Sequence, residues 1–224
     1  MSITQNVCRI KEQIKKATSS SKTNPSDITI VGVTKYVTPD VAEELVSTGL
    51  THLGENRPDK FLEKYTILGS LVKWHFIGTL QTRKVKDVIN KIDYLHSLDR
   101  VSLAHEIQKR ADKKIACFVQ VNVSEENSKH GLSVSEVEAF VTNLAAFDKI
   151  EVVGLMTMAP DTDDEIVLRA CFSGLKNLQD KIQNLKLPHA PCDHLSMGMS
   201  NDFEIAIEEG ATFIRLGSSL TSVN

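Results

Sequence analysis

Three features of the sequence carry chemistry in their residue types and spacing. The first is a lysine at the end of an apolar run. In "ITIVGVTKYVTPD" (28–40), Ile28, Ile30, Val31 and Val33 read as one buried strand, and Lys35 follows where the strand runs out. An amine there is either a solvated end-marker or a placed nucleophile able to condense with a carbonyl. The second feature is a pair of glycine- and serine-rich segments, "LSMGMSND" (195–202) and "IRLGSS" (214–219). Glycine lets backbone N–H groups approach a ligand and serine adds hydroxyls, so both segments suit an anion. Ser200-Asn201-Asp202 also opens a helical pattern, whose first N–H groups favour negative charge. The third is Arg215, set between the apolar residues Ile214 and Leu216. A guanidinium in such a strand is expensive without an acceptor, and a bound ligand is one way to supply it.

The bulk composition narrows the field. The chain has 224 residues, 41% hydrophobic and 25% charged, with a net charge of −3. That length fits one large α/β barrel or two small domains. No basic stripe interleaves with aromatics, so nucleic acid is not expected as a partner. The N-terminal segment is too polar for a signal peptide and nothing is long enough to span a bilayer, so no membrane partner and a cytoplasmic location are expected. Cys8, Cys117, Cys171 and Cys192 are dispersed, with no CxxC pair, which suits free thiols in a reducing compartment. In "HAPCDH" (189–194), His189, Cys192 and His194 lack an evident fourth ligand and match no zinc spacing, so no metal site is expected.

The elements that would position Lys35, Arg215 and the two segments follow a simple alternation. Ile3, Val7, Ile10, Ile14 and Ala17 give a helical face, and "TSSSKT" (18–23) a loop. Short apolar runs then alternate with helical patterns: strands ending at Lys35, at 52–56, 73–78, 94–98, 115–123, 150–158, 194–198 and 212–217. Thr38 with Pro39 predicts a capped helix start, and Val85, Val88, Ile89 and Ile92 predict a helix over 81–92. Ser133 with Glu136, and Thr162 with Glu165, read as capping boxes. Eight short strands separated by helices require crossover connections and therefore a parallel sheet. The expected fold is a single-domain α/β (β/α)8 TIM barrel over residues 1–224, with an extra N-terminal helix covering part of the gap left by a missing eighth helix. An open doubly wound sheet is the runner-up, weakened by the absence of a dinucleotide or P-loop fingerprint.

In such a barrel, active sites lie at the C-terminal ends of the strands. The candidates there are Lys35, Glu55 and Asn56, His75 and Gly78, and the two segments after strands seven and eight. Those last loops are the usual phosphate site of the fold. Period-two geometry puts Val31, Val33 and Lys35 on one face, and Phe213, Arg215 and Gly217 on another inward face. An amine, an inward guanidinium and a phosphate cradle on one rim suggest an aldehyde that carries a phosphate. Pyridoxal 5′-phosphate (PLP), held as a lysine Schiff base, fits that description.

The segments "VTKYVTPD", "LGEN", "WHFIGTLQTRK", "VNVSEENSKHG", "GLMTM", "LSMGMSNDFEIAIEEGAT" and "IRLGSSL" resemble the pyridoxal phosphate homeostasis proteins, also known as proline synthetase co-transcribed homologues. The resemblance runs from strand one to the C-terminus. It implies the barrel of the alanine racemase N-terminal domain, a fold-type III PLP site, Lys35 as the Schiff-base lysine and Arg215 opposite the pyridine nitrogen. It also implies phosphate contacts from Ser200, Gly217 and Ser218, and Asn56 at the cofactor's rim. It implies a carrier or regulator of PLP, without robust catalysis, that serves PLP-accepting apoenzymes; a monomer is expected. Two positions depart from the pattern. Val37 stands where some members have a second lysine, and Ser218-Ser219-Leu220 replaces a threonine followed by a Phe-Gly segment.

Other readings of the same residues make distinct claims. An amino-acid racemase of fold type III needs an acid/base group on the face opposite Lys35, and none is evident. A cofactor-free Schiff-base aldolase needs a lysine buried enough to lower its pKa. Arg215 could instead form an ion pair with Glu55. Asn56 and His75 divide evenly between cofactor contact and structural hydrogen bonding. Lys129, after strand five, reads as solvated, with a weaker PLP contact as the alternative.

Overall fold

The computed structural model describes residues 2–19, 23–126 and 130–222. Of the loop expected over 18–23, residues 20–22 lie outside the described residues, as does Lys129, while Thr18 and Ser19 belong to the first helix. Helix α1 (Ile3–Ser19) leads into β1 (Thr29–Val33), and strands then alternate with helices. All eight strands pair in parallel with their sequence neighbours, and β8 (Phe213–Leu216) pairs back onto β1, closing the barrel. The register sets Val31 against Arg215 and Gly32 against Leu216.

Closure follows from what each strand face carries. Outward residues such as Leu53, Leu95, Val119, Leu195, Ile214 and Leu216 are buried against the surrounding helices in one large apolar layer. Inside, the apolar content is small: Val31, Phe118, Met156 and Phe213 form a separate cluster. The rest of the lumen carries polar groups, which buried sites tolerate only when hydrogen-bonded.

The N-terminal helix covers the seam as expected. It packs against α8 (Phe203–Glu208) and a short α9 (Ser218–Thr221). Asn6 Nδ2 donates to Leu220 O (3.1 Å) and Ser222 O (2.9 Å), and Arg9 Nη2 donates to Ser219 O (3.2 Å). These bonds occupy carbonyls that a helix end leaves without partners.

Three local expectations are corrected. The helix expected over 81–92 is a 3-10 turn (Thr82–Lys84) followed by the short α4 (Val85–Val88). Val85, Val88, Ile89 and Ile92 are nonetheless all buried, so the spacing found the buried face but not the helix length. The chain turns away where Asn90 Oδ1 accepts from Asp112 N and Asn90 Nδ2 donates to Arg110 O. Helix α7 (Glu165–Asn184) is capped by Asp164, whose Oδ1 accepts from Ile166 N at 2.9 Å, and not by Thr162. A carboxylate two residues nearer the first N–H groups takes the place of the hydroxyl. Before α2 (Pro39–Ser47), Thr38 makes no side-chain cap. The Ser133–Glu136 box is present, with Ser133 N donating to Glu136 Oε2 at 2.9 Å. The members of "HAPCDH" go to separate places: His189 Nε2 meets Val141 O, Cys192 is buried, and His194 packs edge-on against Phe213.

Candidate functional site

Strands β1 and β8 are neighbours, so Lys35 and Arg215 belong to one end of the barrel. Lys35 lies two residues beyond β1, half-buried, with Nζ 4.8 Å from the ring centroid of the exposed Tyr36. A cation over a ring face is weakly held, by roughly 0.5–1 kcal/mol at an exposed site. The amine is therefore free to move toward a ligand.

Arg215 points into the lumen and is 5% exposed. Its Nη1 donates to Ser196 Oγ at 2.7 Å and its Nη2 to Thr157 O at 2.9 Å. Both acceptors are neutral. Burial lowers the guanidinium pKa to about 10, opposed by attraction from Asp202, so it remains charged at neutral pH. Two of its five N–H donors are spent on these anchors, which fix its plane and leave the others for a ligand.

Pairing of Arg215 with Glu55 is overturned. Glu55 shares the outward face of β2 (His52–Glu55) with Leu53 and sits under α3 (Pro58–Leu68). Its Oε1 lies 2.8 Å from Lys64 Nζ and accepts from Thr34 Oγ1 at 2.6 Å, all three residues being buried. This charged clamp ties β1, β2 and α3 together one residue before Lys35.

The two serine-bearing loops meet at the rim. Ser200 Oγ lies 3.0 Å from Ser219 Oγ, and it accepts from Gly217 N and Ser219 N at 3.4 Å each. Bonds of that length are weak, so two backbone N–H groups and two hydroxyls converge with donor capacity in hand. The Asp202 carboxylate accepts from Met199 N, and burial raises its pKa. Ser218 lies exposed beside the cradle. Ser219, which the sequence reading passed over, makes the contact with Ser200. A cleft of about 350 Å³ opens behind the same serines toward Asn6 and Arg9. It includes neither Lys35 nor Arg215 and so flanks the site.

Asn56 follows β2, and its Oδ1 is buried with no hydrogen-bond partner among the described residues. A side chain at Gly78 would collide with the Asn56 backbone oxygen, so the glycine lets the ends of β2 and β3 (Lys73–Phe76) lie together. His75 is not at the rim. It sits deep in the lumen, stacked on Tyr94 with ring centroids 4.4 Å apart and hydrogen-bonded to His52 and His96. Sequence reasoning missed Ser196, Thr157 and His96. The signal for two of them was present, because Ser196 shares a period-two face with Gly198, and His96 with Tyr94.

The residues fit a phosphorylated aldehyde that has an aromatic nitrogen: an uncommitted amine, a buried guanidinium on neutral anchors, an orphaned amide oxygen and a loosely satisfied donor cradle.

Comparison with known proteins agrees with the fold. The family model of the alanine racemase N-terminal domain matches residues 2–224. A pyridoxal phosphate homeostasis protein of Aquifex aeolicus is 40% identical over 227 residues, 98% of this chain and 97% of its own. That of Escherichia coli K12 is 28% identical, over 97% of this chain and 95% of its own. Among solved structures, an unknown protein from Bifidobacterium adolescentis superposes with a TM-score of 0.93 at 30% identity, covering 97% of this chain and 94% of that one. PipY of Synechococcus elongatus, solved with PLP bound, has the same fold (TM-score 0.83, 24% identity, 98% of this chain and 100% of that one). Alanine racemase of Corynebacterium glutamicum shares the fold at 14% identity and TM-score 0.75; 99% of this chain matches 61% of the racemase. The chain belongs to the alanine racemase N-terminal domain family, among the pyridoxal phosphate homeostasis proteins.

Proposed function

We propose that the protein holds PLP reversibly, as a Schiff base on Lys35, and passes it on to PLP-accepting apoenzymes, without a robust catalytic activity of its own. The observation that carries this reading is Arg215: a charged guanidinium inside the barrel whose hydrogen-bond acceptors among the described residues, Ser196 Oγ and Thr157 O, are both neutral. When bound, PLP supplies an aldehyde that condenses with amines. The chain's residues bind and orient. Lys35 provides the amine at the mouth. Arg215 donates to the ring nitrogen and, as a permanent donor, keeps that nitrogen from being protonated. Ser200, Ser219 and the N–H groups of Gly217 and Ser219 take the phosphate, with Ser218 at the edge, and Asn56 Oδ1 accepts a ligand hydroxyl.

An unprotonated ring nitrogen makes a weak electron sink, which favours holding over turnover. The relatives in Aquifex aeolicus and Escherichia coli are named homeostasis proteins, which supports the same reading. The test is direct. The purified protein is loaded with PLP, its visible spectrum recorded, and the adduct reduced with borohydride and mapped by mass. A pyridoxyl mass on Lys35, lost in Lys35→Ala, is expected. A protein that stays colourless with added PLP would end the proposal. Inversion of L-alanine at a rate typical of racemases would turn it into an enzyme.

A further inference from the structure

The lumen below Arg215 contains a continuous line of hydrogen bonds. Ser196 Oγ lies 2.9 Å from His96 Nδ1, His96 Nε2 lies 2.8 Å from His75 Nδ1, and His75 Nε2 lies 2.8 Å from His52 Nδ1. The line runs from Arg215, toward the C-terminal end of β8, to His52, the first residue of β2 at the opposite end of the barrel. Ser196, His75 and His96 are fully buried, and His52 is half-buried. Aromatic rings sheathe the line: Tyr94 stacks on His75, Phe118 stacks on His96 at 4.4 Å, and Phe213 lies against His52, His75 and His96.

The direction of every bond follows from one end. Guanidinium can only donate, so Ser196 Oγ accepts from Arg215. Among the described residues the Ser196 hydroxyl proton then has one acceptor, His96 Nδ1; pointing elsewhere would bury it unsatisfied. With Nδ1 accepting, His96 carries its proton on Nε2 and donates to His75 Nδ1. His75 in turn donates from Nε2 to His52 Nδ1, which leaves His52 Nε2–H toward the mouth at the far end. A proton added to any of these rings would set donor against donor. Of the charged groups facing the line, Arg215 beside His96 and Lys73 beside His52 favour the neutral rings, and Asp93 beside His52 opposes them. Burial lowers the pKa of all three histidines, His75 and His96 strongly.

We infer that Ser196, His96, His75 and His52 form a one-directional positioning relay that fixes the Arg215 guanidinium against the ligand's ring nitrogen and couples it to the solvent-facing mouth at the opposite end of the barrel. The ligand half of this inference rests on the function proposed above; the relay itself does not.

Histidine nitrogen-15 NMR tests it on the full chain without PLP. In the wild type, His52, His75 and His96 are expected as neutral Nε2–H tautomers at pH 7.5. In Ser196→Ala the only constraint on direction is removed. His52, two imidazole rings away, is then expected to become a mixture of Nε2–H and Nδ1–H forms. Ser97→Ala, which removes the neighbouring buried hydroxyl outside the line, is expected to leave His52 unchanged. In a parallel titration, Ser196→Ala is expected to take up PLP about tenfold more weakly, near the lower end of what one hydrogen bond to a charged group contributes, with an altered visible spectrum. Nδ1–H tautomers in the wild type, or a His52 signal unmoved by Ser196→Ala, would overturn the relay. Wild-type protein that shows the expected tautomers but takes up no PLP would support the relay and sink the proposed function instead.

Discussion

Ser200 and Arg215 address opposite ends of the proposed ligand, and this separates their effects. Removing the Ser200 hydroxyl takes away one hydrogen bond to a charged phosphate, each such bond contributing about 1.5–3 kcal/mol. Ser200→Ala is therefore expected to weaken PLP uptake by roughly 10- to 100-fold. Uptake of pyridoxal, which lacks the phosphate, should be unaffected. Parallel equilibrium titrations with the two aldehydes check the difference, and equal losses for both would place Ser200 away from the phosphate. Lys35 and Arg215 were legible in the sequence because strand-end position and period-two facing are local properties. The partners of Arg215 were not. Glu55 looked eligible by type, yet it shares its face with Leu53 and points outward to Lys64. Ser219 was passed over for Ser218, because a one-residue choice in a tight turn depends on backbone direction, which composition does not encode.

At the scale of elements, the clamp of Lys64, Glu55 and Thr34 holds the ends of β1 and β2 beneath α3. Buried ion pairs contribute little net stability when intact, but removing one partner leaves a desolvated charge and costs about 3–5 kcal/mol. Lys64→Met is expected to lower stability by about that much, measured by urea denaturation. Adding Glu55→Gln to it should recover most of the loss. A double variant no more stable than the single one would show that the clamp acts by packing and not by charge. The barrel itself was readable from alternating strands and helices, and so was the role of α1, whose apolar face had no other place to pack. The length of α4 was not readable. Periodicity reports which residues are buried, whereas Asn90 ends the helix through bonds to Arg110 and Asp112, distant in sequence.

For the whole molecule, the polar lumen ties stability to pH. His75 and His96 have folded-state pKa values well below the ordinary imidazole value of 6.5 because burial penalises their charged forms. Below pH 6.5 the unfolded chain binds protons that the folded barrel refuses. The stabilisation is fully present above pH 6.5 and is lost as pH falls. Each ring contributes a slope approaching about 1.4 kcal/mol per pH unit in that range. His52 adds a smaller share in the same direction, while the raised pKa of Asp202 acts oppositely. Urea midpoints between pH 8 and 5 are expected to be flat to about 6.5 and then to fall steeply. A profile level down to pH 5 would mean that the lumen admits protons. At the same scale, Asn6→Ala leaves the carbonyls of Leu220 and Ser222 without their donor, at a cost of about 1–3 kcal/mol. Because α9 begins beside the proposed phosphate cradle, that change is expected to weaken PLP uptake as well as lower the melting temperature.

The pairing of the first strand with the eighth has a consequence for biosynthesis. One edge of Thr29–Val33 pairs with Phe213–Leu216, so during translation that edge waits until the eighth strand has been made. At about 5–20 residues per second, the delay is on the order of 10–40 s, during which the nascent chain exposes an unsatisfied ladder of amides. Until the last strand arrives, the ribosome carries an open, curling sheet that has no enclosed lumen for its histidines.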